Sequence, residues 1–263
     1  MEYLTWDIDP NLIVIGNIQV RWYGIMFATA FILGYQIMKW IYIREEKNIK
    51  NIDQLLFYLI GGTIIGARLG HCLLYDPTYY LSNPIKILAV WEGGLASHGG
   101  GIGVLVGLYL YKRKTQESYL WLLDRIAIPT ALAAFFIRIG NLFNSEIIGI
   151  PVSVPWAVIF ERVDLVPRHP AQVYEALSYA LIFFLLMFIY KTSERRLYNG
   201  VIFGVFLVSV FTSRFFIEFV KTKQEAYSSG FWMSTGQVLS IPFVMAGVVL
   251  ILMALKGLSN AKV

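Results

Sequence analysis

Apolar positions run along this chain in long unbroken stretches rather than in strict alternation. Read over a window of about 19 residues, they predict membrane-crossing helices near residues 22–43, 54–75, 95–111, 122–141, 172–190, 200–219 and 237–255. Several of these stretches reach the ~20 residues that carry a helix across a ~30 Å hydrocarbon core. The expected fold class is an all-α polytopic membrane protein, a bundle of about seven transmembrane helices with small extramembrane elements. Residues 1–263 are expected to form a single integral-membrane domain. The stretch 143–171 is expected to be an extramembrane loop element, because Pro151, Pro155 and Pro167 punctuate apolar residues there in the manner of short strands.

Composition supports this reading. The chain is 57% hydrophobic and 15% charged, against about 45–50% and about 25% in soluble domains. Residues 1–19 are mixed and polar, unlike a cleavable signal, so the first span is expected to be retained. Cys72 is the single cysteine, and the three histidines show no H-E-x-x-H spacing, so neither a disulfide, a metal nor a cofactor is expected.

The net charge of +5 sits at the ends of apolar runs, which points to topology rather than to nucleic acid. Arg44, Lys47, Lys50, Lys112, Arg113, Lys114, Lys191, Arg195, Arg196, Lys256 and Lys262 fall on one side. Arg21, Lys86, Arg162, Arg168, Lys221 and Lys223 fall on the other. Eleven against six places the N-terminus outside, the C-terminus in the cytoplasm, and the loops 76–94 and 143–171 outward. Aromatic residues near span ends, from Trp22 and Tyr23 to Trp232, suit the headgroup layer.

Gly62, Gly66 and Gly70 in the second span and Gly99, Gly103 and Gly107 in the third recur every fourth residue, which predicts close helix packing in lipid. The G-G-G-I-G run at 99–103 fits neither nucleotide-binding glycine pattern.

The chemistry lies in ionisable groups within or beside spans: Arg68 with His71, His98, Arg138 with Glu146, and Arg214 with Glu218. An arginine at mid-bilayer costs about 2.5–3.5 kcal/mol on insertion scales, so each needs compensation. The i, i+4 spacing predicts an Arg214–Glu218 ion pair. Arg138, Asn141 and Ser145 share a face near a helix end, with Asn144 and Glu146 beyond. Each arginine is either part of a structural ion pair or an anion site, since the guanidinium fork matches phosphate oxygens, and phospholipid headgroups are the phosphates of a membrane. His98 stands at a helix start that favours anions. Pro170 of H-P-A-Q-V-Y-E reads as a helix N1 residue, with Gln172, Tyr174 and Glu175 expected to be structural. Cys72 reads as a buried small group.

These residues carry a resemblance. R-I-G-N-L-F-N-S-E-I-I-G at 138–149 resembles the signature segment of the prolipoprotein diacylglyceryl transferases. R-W-Y-G at 21–24, S-H-G-G at 97–100, H-P-A-Q-V-Y-E at 169–175 and S-R-F-F-I-E-F at 213–219 agree in the same order, whereas Lys221 stands where that family often has arginine. The resemblance implies transfer of the diacylglyceryl group of phosphatidylglycerol to the lipobox cysteine of a prolipoprotein signal peptide, at the periplasmic face of a bacterial inner membrane. It implies catalytic roles for Tyr23, His98, Arg138 and Arg214, and phosphatidylglycerol binding by Arg138, Asn141, Asn144, Glu146, Gly149, Arg214 and Glu218. His98 is the natural base by residue type. A transporter of an anionic substrate is the alternative, since intramembrane Arg–Glu pairs also mark transport pathways, but the seven unequal spans lack the inverted repeats it predicts. An intramembrane hydrolase lacks its G-x-S-x-G.

Overall fold

Every long apolar stretch forms a helix in the computed structural model, which describes residues 2–16, 18–192, 199–222 and 233–260. Arg195, Arg196, Lys223, Trp232 and Lys262, used above for topology, lie outside the described residues. The helices are α1 (Trp22–Arg44), α2 (Asn51–Leu74), the short α3 (Pro77–Ser82), α4 (Ser97–Thr115), α5 (Tyr119–Phe143), α6 (Ala171–Thr192), α7 (Val201–Ile217) and α8 (Thr235–Asn260). Six of the seven long ones are long and apolar enough to cross a membrane. The exception is α4, whose glycines bring no apolar side chain and whose last turn carries Lys112, Arg113 and Lys114.

Short strands fill the rest: β1 (Leu4–Trp6), β2 (Asn11–Ile15), β3 (Ile18–Arg21), β4 (Val158–Phe160) and β5 (Pro167–Arg168). β1 pairs parallel with β4, β4 pairs antiparallel with β5, and β2–β3 is a hairpin. Two of the strands thus fall in the proline-punctuated stretch 143–171. There Arg168 pairs with Asp164, and its guanidinium holds that carboxyl below the usual range.

The chain folds as two compact units, Met38–Leu123 and a second made of Met1–Ile37 with Asp124–Val263. In the first, α2 and α4 pack glycine against glycine. A Cβ on Gly103 would stand 1.9 Å from the Gly62 carbonyl oxygen, and one on Gly99 2.3 Å from that of Gly66. Cys72 is fully buried, as expected. Lys47 and Glu117 pair at 2.6 Å, and the Trp121 indole donates to Glu45.

Arg68 is not an anion site. Its guanidinium, 3% exposed, donates from Nε to the Ile87 carbonyl at 3.0 Å, from Nη2 to that of Lys86, and from Nη1 to those of Gly93 and Gly94. It also lies 5.1 Å from the centre of the Tyr80 ring. One buried cation thereby gathers carbonyls from the short 3₁₀ turns and the glycine pair between α3 and α4, supplementing the few hydrogen bonds those turns make themselves. Arg68→Ala is expected to accelerate amide exchange across residues 84–94 by about tenfold or more, each lost charged hydrogen bond being worth about 1.5–3 kcal/mol. Hydrogen–deuterium exchange mass spectrometry checks this, and unchanged protection would show that the latch holds nothing.

In the second unit, α7 packs against α6 and α8, with Gly204 and Gly247 letting the α7 and α8 backbones approach. Asp124, fully buried in α5, accepts from the Gly200 and Phe203 N–H groups at 2.7 and 2.8 Å. It caps α7 from another helix and meets its positive dipole end. Trp22 stacks on Phe143 at 4.8 Å, fastening the start of α1 to the end of α5.

Candidate active site

The site forms where α5 ends. Its last turn carries Arg138 and Asn141, and the chain then leaves the helix through two left-handed non-glycine residues, Ser145 (φ 55°) and Ile147 (φ 57°). Such backbone costs on the order of 1–3 kcal/mol per residue and persists only where its surroundings impose it. Here it holds Glu146 between them. The Glu146 N–H donates to the Asn141 carbonyl at 2.9 Å, and its carboxylate accepts from Asn141 Nδ2 and Asn144 Nδ2, each at 3.1 Å. Gln172 of α6, fully buried, donates to the Glu146 carbonyl at 2.6 Å.

Arg138 reaches Glu146 only through Asn141, whose Oδ1 accepts from Arg138 Nη1 at 2.9 Å. Its direct counter-ion is Glu175 of α6, 2.8 Å from Nε and fully buried. The same carboxylate meets Lys221 Nζ at 3.4 Å. A carboxylate with no exposure is tolerable only when paired, and Glu175 has two cations. Tyr179, one turn further along α6 and buried, lies close enough to interact with both Arg138 and Arg214.

The predicted Arg214–Glu218 pair does not form. The spacing itself survives, since the Glu218 N–H still bonds the Arg214 carbonyl where α7 ends, but the Glu218 carboxylate takes its partner from the 3₁₀ turn that follows over Glu218–Val220. Glu218 instead meets Lys221 at 3.4 Å, three residues on. It lies against Gly236 of α8, where a Cβ would come within 2.8 Å of both carboxylate oxygens. Among the described residues Arg214, half-buried in α7, has no carboxylate within ion-pair distance.

Glycines set the remaining contacts. Gly140 lets the Tyr23 ring lie on α5, where a Cβ would meet Tyr23 Cδ2 at 2.8 Å, and Tyr23 feels both Glu146 and Arg138. Gly149 is threaded between two backbones: its N–H donates to the His169 carbonyl at 2.9 Å, and a Cβ would sit 2.7 Å from the Val220 carbonyl oxygen. That pins the loop after α5 to the segment bearing Lys221.

Tyr23, Arg138, Asn141, Asn144, Glu146, Gly149, Arg214 and Glu218 all belong to this one unit. His98 belongs to the other, exposed in the first turn of α4. Sequence reasoning missed Tyr179 and left Lys221 an uncertain contact. The signal for Glu175 was available: a carboxylate inside an apolar span, in a chain with three intramembrane arginines, requires a cation.

The profile of the family described as prolipoprotein diacylglyceryl transferase matches residues 10–253. The chain belongs to the prolipoprotein diacylglyceryl transferase family. A protein of Tolumonas auensis called phosphatidylglycerol–prolipoprotein diacylglyceryl transferase is 54% identical over 96% of this chain and 98% of its own length. Relatives of the same name from Chloroherpeton thalassium and Porphyromonas gingivalis are 49% and 47% identical, each over 97% of this chain and 96% of theirs. As a member of this transferase family the chain is a multi-pass membrane enzyme, and the transporter alternative is set aside.

Proposed function

We propose that this diacylglyceryl transferase works by clamping the phosphate of phosphatidylglycerol between Arg138 and Arg214 while a lipobox cysteine displaces it. The observation that carries the reading is the half-buried Arg214, a permanent cation inside a span with no carboxylate partner among the described residues. A guanidinium so placed invites an anion, and the lipid phosphate supplies one with matching geometry. Arg138, already oriented by Asn141, Glu175 and Tyr179, supplies the second cation at no cost in reorganisation.

In the reaction the cysteine thiolate attacks the glycerol carbon that bears the phosphate ester. The carbon–sulfur bond forms as the carbon–oxygen bond breaks, giving a thioether and releasing glycerol phosphate. Negative charge grows on the departing phosphate, where two preorganised guanidiniums in low dielectric stabilise it. The thiol must first lose its proton, and the resemblance gives the role of base to His98, a histidine being the usual general base by residue type. Asn141, held in turn by Glu146 and through it by Asn144, orders Arg138, Glu218 is offered to the headgroup beside Lys221, and Tyr23 caps the site over Gly140. An apolar hollow of about 230 Å³ between α7 and α8, lined by Thr212, Phe215, Ser240, Ile241, Val244 and Met245, offers room for an acyl chain. The excess of basic residues on one side supports an N-terminus in the periplasm and a C-terminus in the cytoplasm of a bacterial inner membrane.

Purified protein given phosphatidylglycerol and a lipobox peptide is expected to yield diacylglyceryl peptide, read by mass, and glycerol phosphate. Arg214→Ala is expected to lose about 10²–10³-fold in rate. His98→Gln is expected to lose about 10²-fold or more, with the loss partly relieved at higher pH, where the thiol ionises unaided. Transfer by Arg214→Ala at the wild-type rate would remove the clamp.

A further inference from the structure

Among its described residues, the hairpin of β2 and β3 has no covered face. Along β2, Leu12, Ile13, Val14 and Ile15 are 40%, 49%, 55% and 67% exposed, rising toward the turn at Gly16. Successive strand residues point to opposite faces, so four consecutive exposed aliphatic side chains make both faces apolar. Val20 on β3 adds to this surface, and no charged residue occurs between Asp9 and Arg21. A lone hairpin of this length is marginal at best in water, and contiguous apolar surface marks an interaction site.

Three observations select the occupant. First, β3 ends at Arg21 and α1, a candidate membrane span, begins at Trp22 with no linker. The Trp22 N–H bonds the Pro10 carbonyl at 3.0 Å, closing the hairpin base where that span begins. Second, the charges Asp7, Asp9 and Arg21 collect at that base and leave the tip uncharged. Third, the outer edges of a two-stranded ribbon carry backbone groups that need water, which excludes the hydrocarbon core. The interfacial layer meets both demands, keeping edge backbone hydrated while apolar side chains reach the acyl chains.

We infer that β2–β3 is a membrane-dipping hairpin, seated through Leu12–Ile15 and Val20 in the lipid interface of the leaflet where α1 begins. Its anchorage fixes the first turn of α1 against the bilayer, and that turn carries Tyr23. This surface is separate from the phosphate clamp and stands whether or not that reading holds.

The test uses the full chain in vesicles of phosphatidylglycerol and phosphatidylethanolamine. Cys72 is fully buried, so Ile15→Cys and Val14→Cys each offer one reactive thiol for an environment-sensitive fluorophore, one on each face. Lipids brominated on the upper acyl chain are expected to quench about half or more of the emission at both positions, and iodide about fivefold less than it quenches free dye. Strong iodide quenching without quenching by brominated lipid would overturn the inference. So would quenching at only one position, since protein would then cover the other face. Protection from both quenchers together with a disulfide between copies at position 15 would assign the hairpin to self-association and overturn it as well.

Discussion

Arg138→Ala is expected to abolish measurable transfer, a loss of about 10³-fold or more, because it removes a guanidinium that must meet charge as it forms on the leaving phosphate. The variant also takes from Glu175 the closer of its two cations, leaving the fully buried carboxylate with Lys221 alone at 3.4 Å. Breaking a buried pair from one side costs about 3–5 kcal/mol, so lost activity alone would not separate catalysis from stability. The double variant Arg138→Ala, Glu175→Gln separates them. Removing both charges is expected to restore most of the thermal stability in detergent without restoring transfer. Arg138→Lys is expected to fold and to remain slowed about 10²-fold, since an ammonium cannot serve Asn141, Glu175 and a phosphate with one planar fork. Transfer regained by the double variant would mean that Arg138 only neutralises Glu175.

Gly103→Leu is expected to yield almost no folded protein. A Cβ at this position would stand 1.9 Å from the Gly62 carbonyl oxygen and 3.0 Å from the Gly66 Cα. The obstructing atoms are backbone, so no side-chain rotation relieves them and α2 must part from α4. Overpacking a yielding site costs about 1–3 kcal/mol, and a rigid backbone contact exceeds that range. Separated helices also forfeit the close packing that holds spans together where lipid offers no hydrophobic drive. Gly103→Ala is expected to fail less completely. Gly101→Ala and Gly61→Ala, with nothing within 4 Å of the added carbon, are expected to accumulate like wild type. Yield and monodispersity from the membrane fraction measure all four. Equal yields from Gly103→Leu and Gly101→Ala would show that the glycine faces do not govern assembly.

Much of the site was legible in advance. Arg138, Asn141, Asn144 and Glu146 lie within nine consecutive residues, and proximity along the chain made their proximity in space predictable. Their wiring was not, because Asn141 rather than Arg138 faces Glu146 once the helix stops and Ser145 turns left-handed. Glu218 shows the same limit. Helical spacing promised it to Arg214, and the backbone keeps that spacing, yet its carboxylate meets Lys221 and Arg214 is left without a carboxylate among the described residues.

Local patterns therefore suffice for the spans, for the glycine faces of α2 and α4, and for the presence of cations that need partners in lipid. Each depends on residue type and on the fixed rise of a helix, which are properties of the chain at short range. Counter-ion choice is of another kind. Glu175 meets Arg138 from a different helix, Asp124 caps α7 from α5, and Arg68 spends its charge on loop carbonyls. A buried charge takes whichever partner the packed backbone brings within about 3–4 Å, and that distance is set by where helices end and cross, which no stretch of sequence carries alone.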